Sequence, residues 1–324
     1  MDYTKYEALE VIRHGNVLSI ALNRPDALNT INAQSLMELS TVFIAASMDN
    51  EVDVIVLTGK GRAFSAGGDW NWMQEQIRDP QQFYEGLVNA RRMLYSIIDC
   101  DKPIVCRLNG DAIGMGFTLA LTCDFVIADE SARLADPHVR VGLVTGDGGA
   151  ALWSHFVGHM RAKRYLLTGE FIQAGKAEEI GLITVAVPAG ELDAHVTSLI
   201  KKLASGPTRA IAWSKAVINT GLRQAFSASL DAALAYEALS NQTADHKTAV
   251  EAFKRGRRLC SRAPPGSQDD KPVRSRAALA LRSGSLPYTQ GLRWILSIHP
   301  NRRNFAPRHV HGSRGMRRMS CMKF

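Results

Sequence analysis

The chain has 324 residues, 46% hydrophobic and 22% charged, an ordinary composition for a folded protein with a sizeable core. A collagenous, solenoid or largely disordered chain is excluded, and no membrane span is expected, because apolar runs such as Ile113 to Leu121 are broken well short of ~20 residues. The net charge of +8 divides unevenly: residues 1–253 carry 22 Lys and Arg against 29 Asp and Glu, whereas residues 254–324 carry 17 against 2.

A mildly acidic body followed by a basic tail is the expected organisation, with the boundary near residue 258. There the amphipathic pattern gives way to arginines and to Ala263-Pro264-Pro265-Gly266-Ser267. The tail, 259–324, is expected to be of low order, either an appendage or an out-of-frame extension. It has no zinc-ligand spacing, aromatic-flanked RNA motif or periodic basic face, so no nucleic-acid partner is expected. Residues 1–18 carry Asp2, Glu7 and Glu10 and resemble neither a secretory signal nor a transit peptide, so a cytoplasmic location is expected. Five cysteines, odd in number and without C-x-x-C spacing, are expected to be buried thiols rather than disulfides or zinc ligands.

In chain order, short β-branched runs alternate with segments of helical period, the pattern of an α/β protein. Strands are predicted at Val17 to Leu22, Asp53 to Leu57, Ile104 to Leu108, Phe125 to Ala128 and Ile183 to Val187. Helices are predicted at Ala33 to Ser47, Gln81 to Ile98, Gly148 to Val157 and Met160 to Thr168. From Leu192 onward the pattern is all helical, ending in one long stretch from Leu222 to Phe253.

Three glycine-rich turns follow strands: Thr58 to Asp69, Asn109 to Gly116, and Gly142 to Gly149. Glycine lets a backbone approach a ligand and present free N–H groups, and a helix starting just after Gly114 would aim its positive end at the same place. Two converging N–H groups make an oxyanion hole. A P-loop is excluded by the absence of its motif, and a dinucleotide site is not expected, because Leu119 stands where a third glycine is needed.

At these residues the sequence resembles the crotonase, or enoyl-CoA hydratase/isomerase, superfamily. The resemblance runs from about Leu9 to Arg258. It rests on Asn23-Arg24-Pro25 with Leu28-Asn29, then Phe64-Ser65-Ala66-Gly67-Gly68-Asp69, then Asn109-Gly110 through Gly116 with Cys123-Asp124. It implies a crotonase-like spiral of ββα units over 1–190 and a C-terminal helical oligomerisation segment over 191–258. A homotrimer or dimer of trimers is the implied assembly. It also implies an acyl-CoA substrate, with coenzyme A entering only as part of that substrate and no separate cofactor or metal. Backbone N–H groups of Ala66 and Met115 are the implied oxyanion hole. Ala27, Leu28, Ser65, Gly67, Gly68, Asp69, Trp70 and Gly114 are the implied substrate and coenzyme A contacts.

The chain departs from the superfamily where its hydratases carry two glutamates: those positions are Thr118 and His138. A threonine hydroxyl is no general base unaided, whereas His138, with an ordinary pKa of ~6.5, suits proton transfer. His138 is therefore expected to be the base, with Asp147, nine residues on, orienting it or acting as the acid. A His and Asp so spaced also resemble the superfamily's C–C bond hydrolases, which cleave β-diketones by a retro-Claisen route. Glu75 is a further candidate acid, and Trp70, Trp72 and Met73 either line the acyl pocket or pack in the core. His155 and His159, spaced i, i+4, lack the glutamate of a zinc motif. Three functions stay open: a hydratase/isomerase-type acyl-CoA enzyme, a C–C hydrolase acting on a β-dicarbonyl compound, and a non-catalytic binding protein on the same fold.

Overall fold

The computed structural model describes residues 1–254. Leu9–His14 (β1) turns back through Gly15-Asn16 into Val17–Leu22 (β2), forming an antiparallel pair. Val54–Gly59 (β3), Ile104–Leu108 (β5), Phe125–Asp129 (β7) and Val185–Val187 (β10) extend it in parallel, giving the order β1-β2-β3-β5-β7-β10. A second sheet aligns Ala63–Ser65 (β4), Asp111–Ile113 (β6) and Arg133–Ala135 (β8) in parallel, with Ile172–Gln173 (β9) antiparallel at its edge.

The helices fall between these strands. Ala33–Met48 (α1) follows β2, and Trp70–Arg78 (α2) and Pro80–Ile98 (α3) follow β4. Met115–Leu121 (α4) follows β6, Gly149–Thr168 (α5) follows β8, and Ala174–Glu179 (α6) follows β9. Strands β3, β5 and β7 of the large sheet are thus each succeeded by a short strand of the small sheet and then by helix. Three such ββα turns make the spiral that the resemblance implies.

Burial on both faces explains why the inner strands read as near-continuous apolar runs. Ile55, Leu57, Ile104 and Cys106 join the main core with α1 and α3, whereas the alternate residues Val54, Val56, Val105 and Ile127 form a second cluster. Leu192 and Val196 of Leu192–Ala204 (α7) cover that second face. Thr208–Asn241 (α8) then runs back against α3 and α5, and Ala244–Lys254 (α9) contacts α2 and the 3-10 turn His138–Val141. The C-terminal helical segment is present, but the single stretch expected from Leu222 is broken at Gln242-Thr243, where Leu239 and Ser240 carbonyls accept from their N–H groups. The two helices predicted within α5 stay distinct, because Gly158 holds non-helical angles (φ 76°, ψ 159°) between them.

The strands β4, β6, β8 and β9 were outside the prediction, because two or three residues are too few to display an alternation. Cys100, Cys106 and Cys123 are buried and free, while Cys260 and Cys321 lie outside the described residues, as does the tail expected over 259–324. Among the described residues no helix is long and apolar enough to cross a membrane.

Candidate active site

Neighbouring strands β4 and β6 bring the first two glycine-rich turns together. Gly67 has φ +91°, and a Cβ there would lie 2.9 Å from the Ile113 carbonyl oxygen, so only glycine allows the two loops to touch. Asp69 closes the first loop by accepting hydrogen bonds from the Asn71 and Trp72 N–H groups at the start of α2. Its other oxygen pairs with Arg24 Nη2 at 3.0 Å and accepts from Thr30 at 3.1 Å. Burial alone would raise the Asp69 carboxyl, but these bonds hold it below the usual carboxylate range.

The same loop decides which amides are free. The Ala66 N–H donates to the Leu28 carbonyl at 2.9 Å, so it does not serve as the oxyanion donor expected of it, although Ala66 lines the pocket. Leu28 reaches that position through a left-handed backbone, φ 52°. Gly68, two residues on, has no hydrogen-bond partner for its N–H among the described residues, and neither has Met115. Met115 is the first residue of α4, where no intrahelical acceptor exists. Gly114 precedes it at φ 53°, ψ −127°, with its own N–H donated to Ala135.

Both residues line one pocket that is open to solvent. Gly67, Gly68, Trp70, Gly114 and His138 line it as well, and Trp72 and Met73 join Trp70 on its wall. Ala27, Leu28, Ser65 and Asp69 stand outside the lining and shape the loop instead. Ser65, for example, is buried and donates its hydroxyl to the Asn29 carbonyl at 2.8 Å. Glu75 is exposed on α2, and Gln76, one helical step round, takes the pocket side. His155 and His159 are exposed, with Gly158 breaking the helix between them, so they share no helical face.

His138 and Asp147 meet as their spacing suggested, and they do so in company. His138 Nδ1 hydrogen-bonds Asp136 Oδ1, and His138 Nε2 lies 3.5 Å from Asp147 Oδ2. Asp136 Oδ2 accepts from the Thr145 hydroxyl, and Asp147 Oδ1 accepts from the Thr118 hydroxyl at 3.3 Å. Asp136 and Asp147 are buried, whereas the His138 side chain keeps 12% of its surface at the pocket. The three groups could in principle chelate an ion. However, one imidazole presents a single nitrogen to a metal, and the Nδ1 edge is already committed to Asp136.

Electrostatics set the protonation. Burial disfavours the His138 imidazolium, but the charges of Asp136 and Asp147 outweigh it and hold the ring well above its ordinary pKa. Burial would likewise raise Asp136, yet the His138 charge and the bonds from His138 and Thr145 hold it low. Asp147 is pushed up by burial and by Asp136, with His138 opposing. The flanking carboxylates thus favour the charged ring, so that His138 is able to donate a proton as well as to accept one.

Two pocket residues escaped sequence reasoning. Glu237 of α8 is buried, with no partner for Oε2 among the described residues, and burial together with the nearby Asp147 charge pushes its carboxyl up to about 8. His246 of α9 is fully buried, with Nδ1 on the Val141 carbonyl at 2.7 Å and Nε2 unpartnered. Both lie inside the long C-terminal helical pattern, where an isolated Glu or His looks like a side chain facing solvent. Their only local signal is that they interrupt an apolar face.

The sequence matches the family described as enoyl-CoA hydratase/isomerase over residues 13–259. It is 32% identical over 252 residues to a short-chain-enoyl-CoA hydratase of Clostridium acetobutylicum, covering 76% of this chain and 94% of that protein. Among solved structures, an enoyl-CoA hydratase/isomerase from Mycobacterium paratuberculosis superposes with a TM-score of 0.74 at 36% identity, over 77% of this chain and 99% of that one. A beta-diketone hydrolase from Anabaena, bound to (S)-3-oxocyclohexyl acetic acid, superposes with a TM-score of 0.69 at 25% identity, over 74% and 96%.

Proposed function

The chain belongs to the enoyl-CoA hydratase/isomerase family, and from that premise we propose that it adds water to an enoyl-CoA thioester, with His138 carrying the proton. One observation supports this above the rest: two free main-chain N–H groups and a charged imidazole line the same pocket. The Gly68 and Met115 amides hold the thioester oxygen and take up the negative charge of the enolate, each worth about 3 kcal/mol in transition-state stabilisation. Water adds at the β-carbon, and the C=C electron pair moves onto the thioester to form that enolate. His138 then gives its Nε2 proton to the carbon next to the carbonyl and takes back the surplus proton of the added water, so the ring ends as it began. The Nδ1–H stays donated to Asp136 throughout, which fixes the ring plane, and Asp147 stabilises the imidazolium. Coenzyme A enters only as part of the substrate.

The test follows the conjugated thioester absorbance of crotonyl-CoA with the wild type, His138→Ala and Asp147→Asn. Absorbance is expected to fall with the wild type, and both substitutions are expected to slow it by about 10²–10⁴-fold while thioester binding persists. Undiminished rates in both variants would refute the assignment.

A second reading is C–C bond hydrolysis of a β-dicarbonyl compound. It is favoured by Thr118 and His138 standing where hydratases carry glutamates, and by the similarity to the beta-diketone hydrolase. The same His138 would protonate the departing enolate carbon. Product analysis separates the two, since cleavage creates a carboxylate and a shorter ketone.

A further inference from the structure

Gly86 stands inside α3, where a glycine weakens a helix relative to alanine. A Cβ there would lie 3.2 Å from both Cζ2 and Cη2 of Trp72, so the benzo edge of the indole rests on bare helix backbone. Gly86 also marks the seam between two stripes of α3. Phe83, Leu87 and Ala90 line the active-site pocket, whereas Gln82, Glu85 and Asn89 line a second cleft. Leu36, Trp72 and Gly86 line both. The half-buried indole of Trp72 therefore stands as a partition between the two spaces.

The spaces differ in kind. Against α3 the pocket is apolar, with Leu36, Phe83, Leu87 and Ala90 all buried. The cleft carries polar side chains and opens on the exposed Ala33 and Glu85. A hydrocarbon chain gains by entering the first and not the second. Trp72 is also held in a fixed relation to the reacting carbonyl. It is the third residue of α2, and its N–H donates at 3.4 Å to Oδ1 of Asp69, the neighbour of Gly68. Met73 Sδ lies 3.4 Å from where a Cβ on Gly68 would stand. One helical turn thus carries both the partition and the amide assigned to the thioester oxygen.

We propose that Trp72, seated on Gly86, is the closed end of the acyl site and sets the longest unbranched hydrocarbon chain that fits. The proposal rests on the acyl-CoA reading above and adds the size class of the substrate to it.

The test is calorimetric binding of saturated straight-chain acyl-CoA thioesters of two to twelve carbons to the full chain, to Trp72→Ala and to Trp72→Phe. In wild type each added methylene is expected to tighten binding about 2- to 4-fold until the chain meets the indole, and no further beyond it. That break is expected to move out by about two carbons or more in Trp72→Ala, where the chain fills the space of the ring, and by less in Trp72→Phe. The break is read within each protein, so a general loss of affinity does not imitate it. A wild-type series that tightens steadily to twelve carbons overturns the closed end and leaves the acyl-CoA reading standing. No binding of any thioester overturns both. A break that stays in place in variants shown to be folded by circular dichroism removes Trp72 from the role. Should Trp72→Ala fail to fold, Trp72→Phe keeps a ring on Gly86 and decides the same question.

Discussion

Asp147 sets one carboxylate oxygen against Thr118 and the other against His138: Oδ1 accepts from the Thr118 hydroxyl at 3.3 Å, and Oδ2 lies 3.5 Å from His138 Nε2. The position where the superfamily resemblance calls for a glutamate therefore still touches a carboxylate, supplied from the third glycine-rich turn. Thr118 is buried in α4, so its hydroxyl serves to steady Asp147 rather than to meet substrate.

Asp136 carries more of the His138 charge state than Asp147 does, because it both hydrogen-bonds the ring and faces it with a full charge. In Asp136→Asn the burial of the ring is no longer outweighed to the same extent. The His138 pKa, followed by NMR titration of its ring protons, is expected to fall toward or below ~6.5. An unchanged titration would show that Asp136 merely positions the ring.

Glu237 is held protonated at the expense of stability. Its carboxyl titrates near 4.5 unfolded and about 8 folded, so the folded state binds the extra proton between those limits. Its contribution to stability is complete below about pH 4.5 and is lost as pH rises toward 8. Glu237→Gln, which needs no proton to stay neutral, is expected to gain on wild type across that window, by a few kcal/mol at its upper end. Urea unfolding at several pH values reads the gap, and a gap independent of pH would contradict the assignment.

Lys215 fastens α8 to the sheet. Its Nζ lies 2.7 Å from Asp124 Oδ2 and donates to the Lys102 carbonyl at 2.8 Å, and the lysine is buried. Burial raises the Asp124 carboxyl, with Lys215 opposing, so removing the lysine leaves a carboxyl that can no longer ionise cheaply. Lys215→Met is expected to cost about 3–5 kcal/mol by denaturant unfolding, and adding Asp124→Asn is expected to restore a sizeable part. Because α8 also carries Glu237, the single variant is expected to lose activity as well, and additive losses would show that the pair is not coupled.

Much of this arrangement is legible in the chain. Val17–Leu22 and Ile104–Leu108 coincide with their predicted bounds, because β-branched runs between turn residues mark strands, whereas the equally long Leu9–His14, with its charged alternation, was not predicted. Glycines 67, 68 and 114 mark the loops, and the placement of His138 and Asp147 follows from motif order. The short strands of the second sheet, by contrast, exist through pairing with neighbours distant in sequence, and leave no period of their own.

The sequence by itself determined the alternation of the longer strands with helices and the three glycine-rich loops, because local patterns of burial and turn chemistry suffice for those, while the ββα order and the candidate histidine came from the family resemblance. Tertiary structure alone decided which amides stay free, since the Leu28 carbonyl claims Ala66 and leaves Gly68. It alone decided that Asp136 and Asp147 flank His138 and raise its pKa, and that Glu237 and His246 reach the pocket from α8 and α9. A hydrogen-bond partner and a local dielectric belong to neighbours in space, and those neighbours come from segments far apart along the chain.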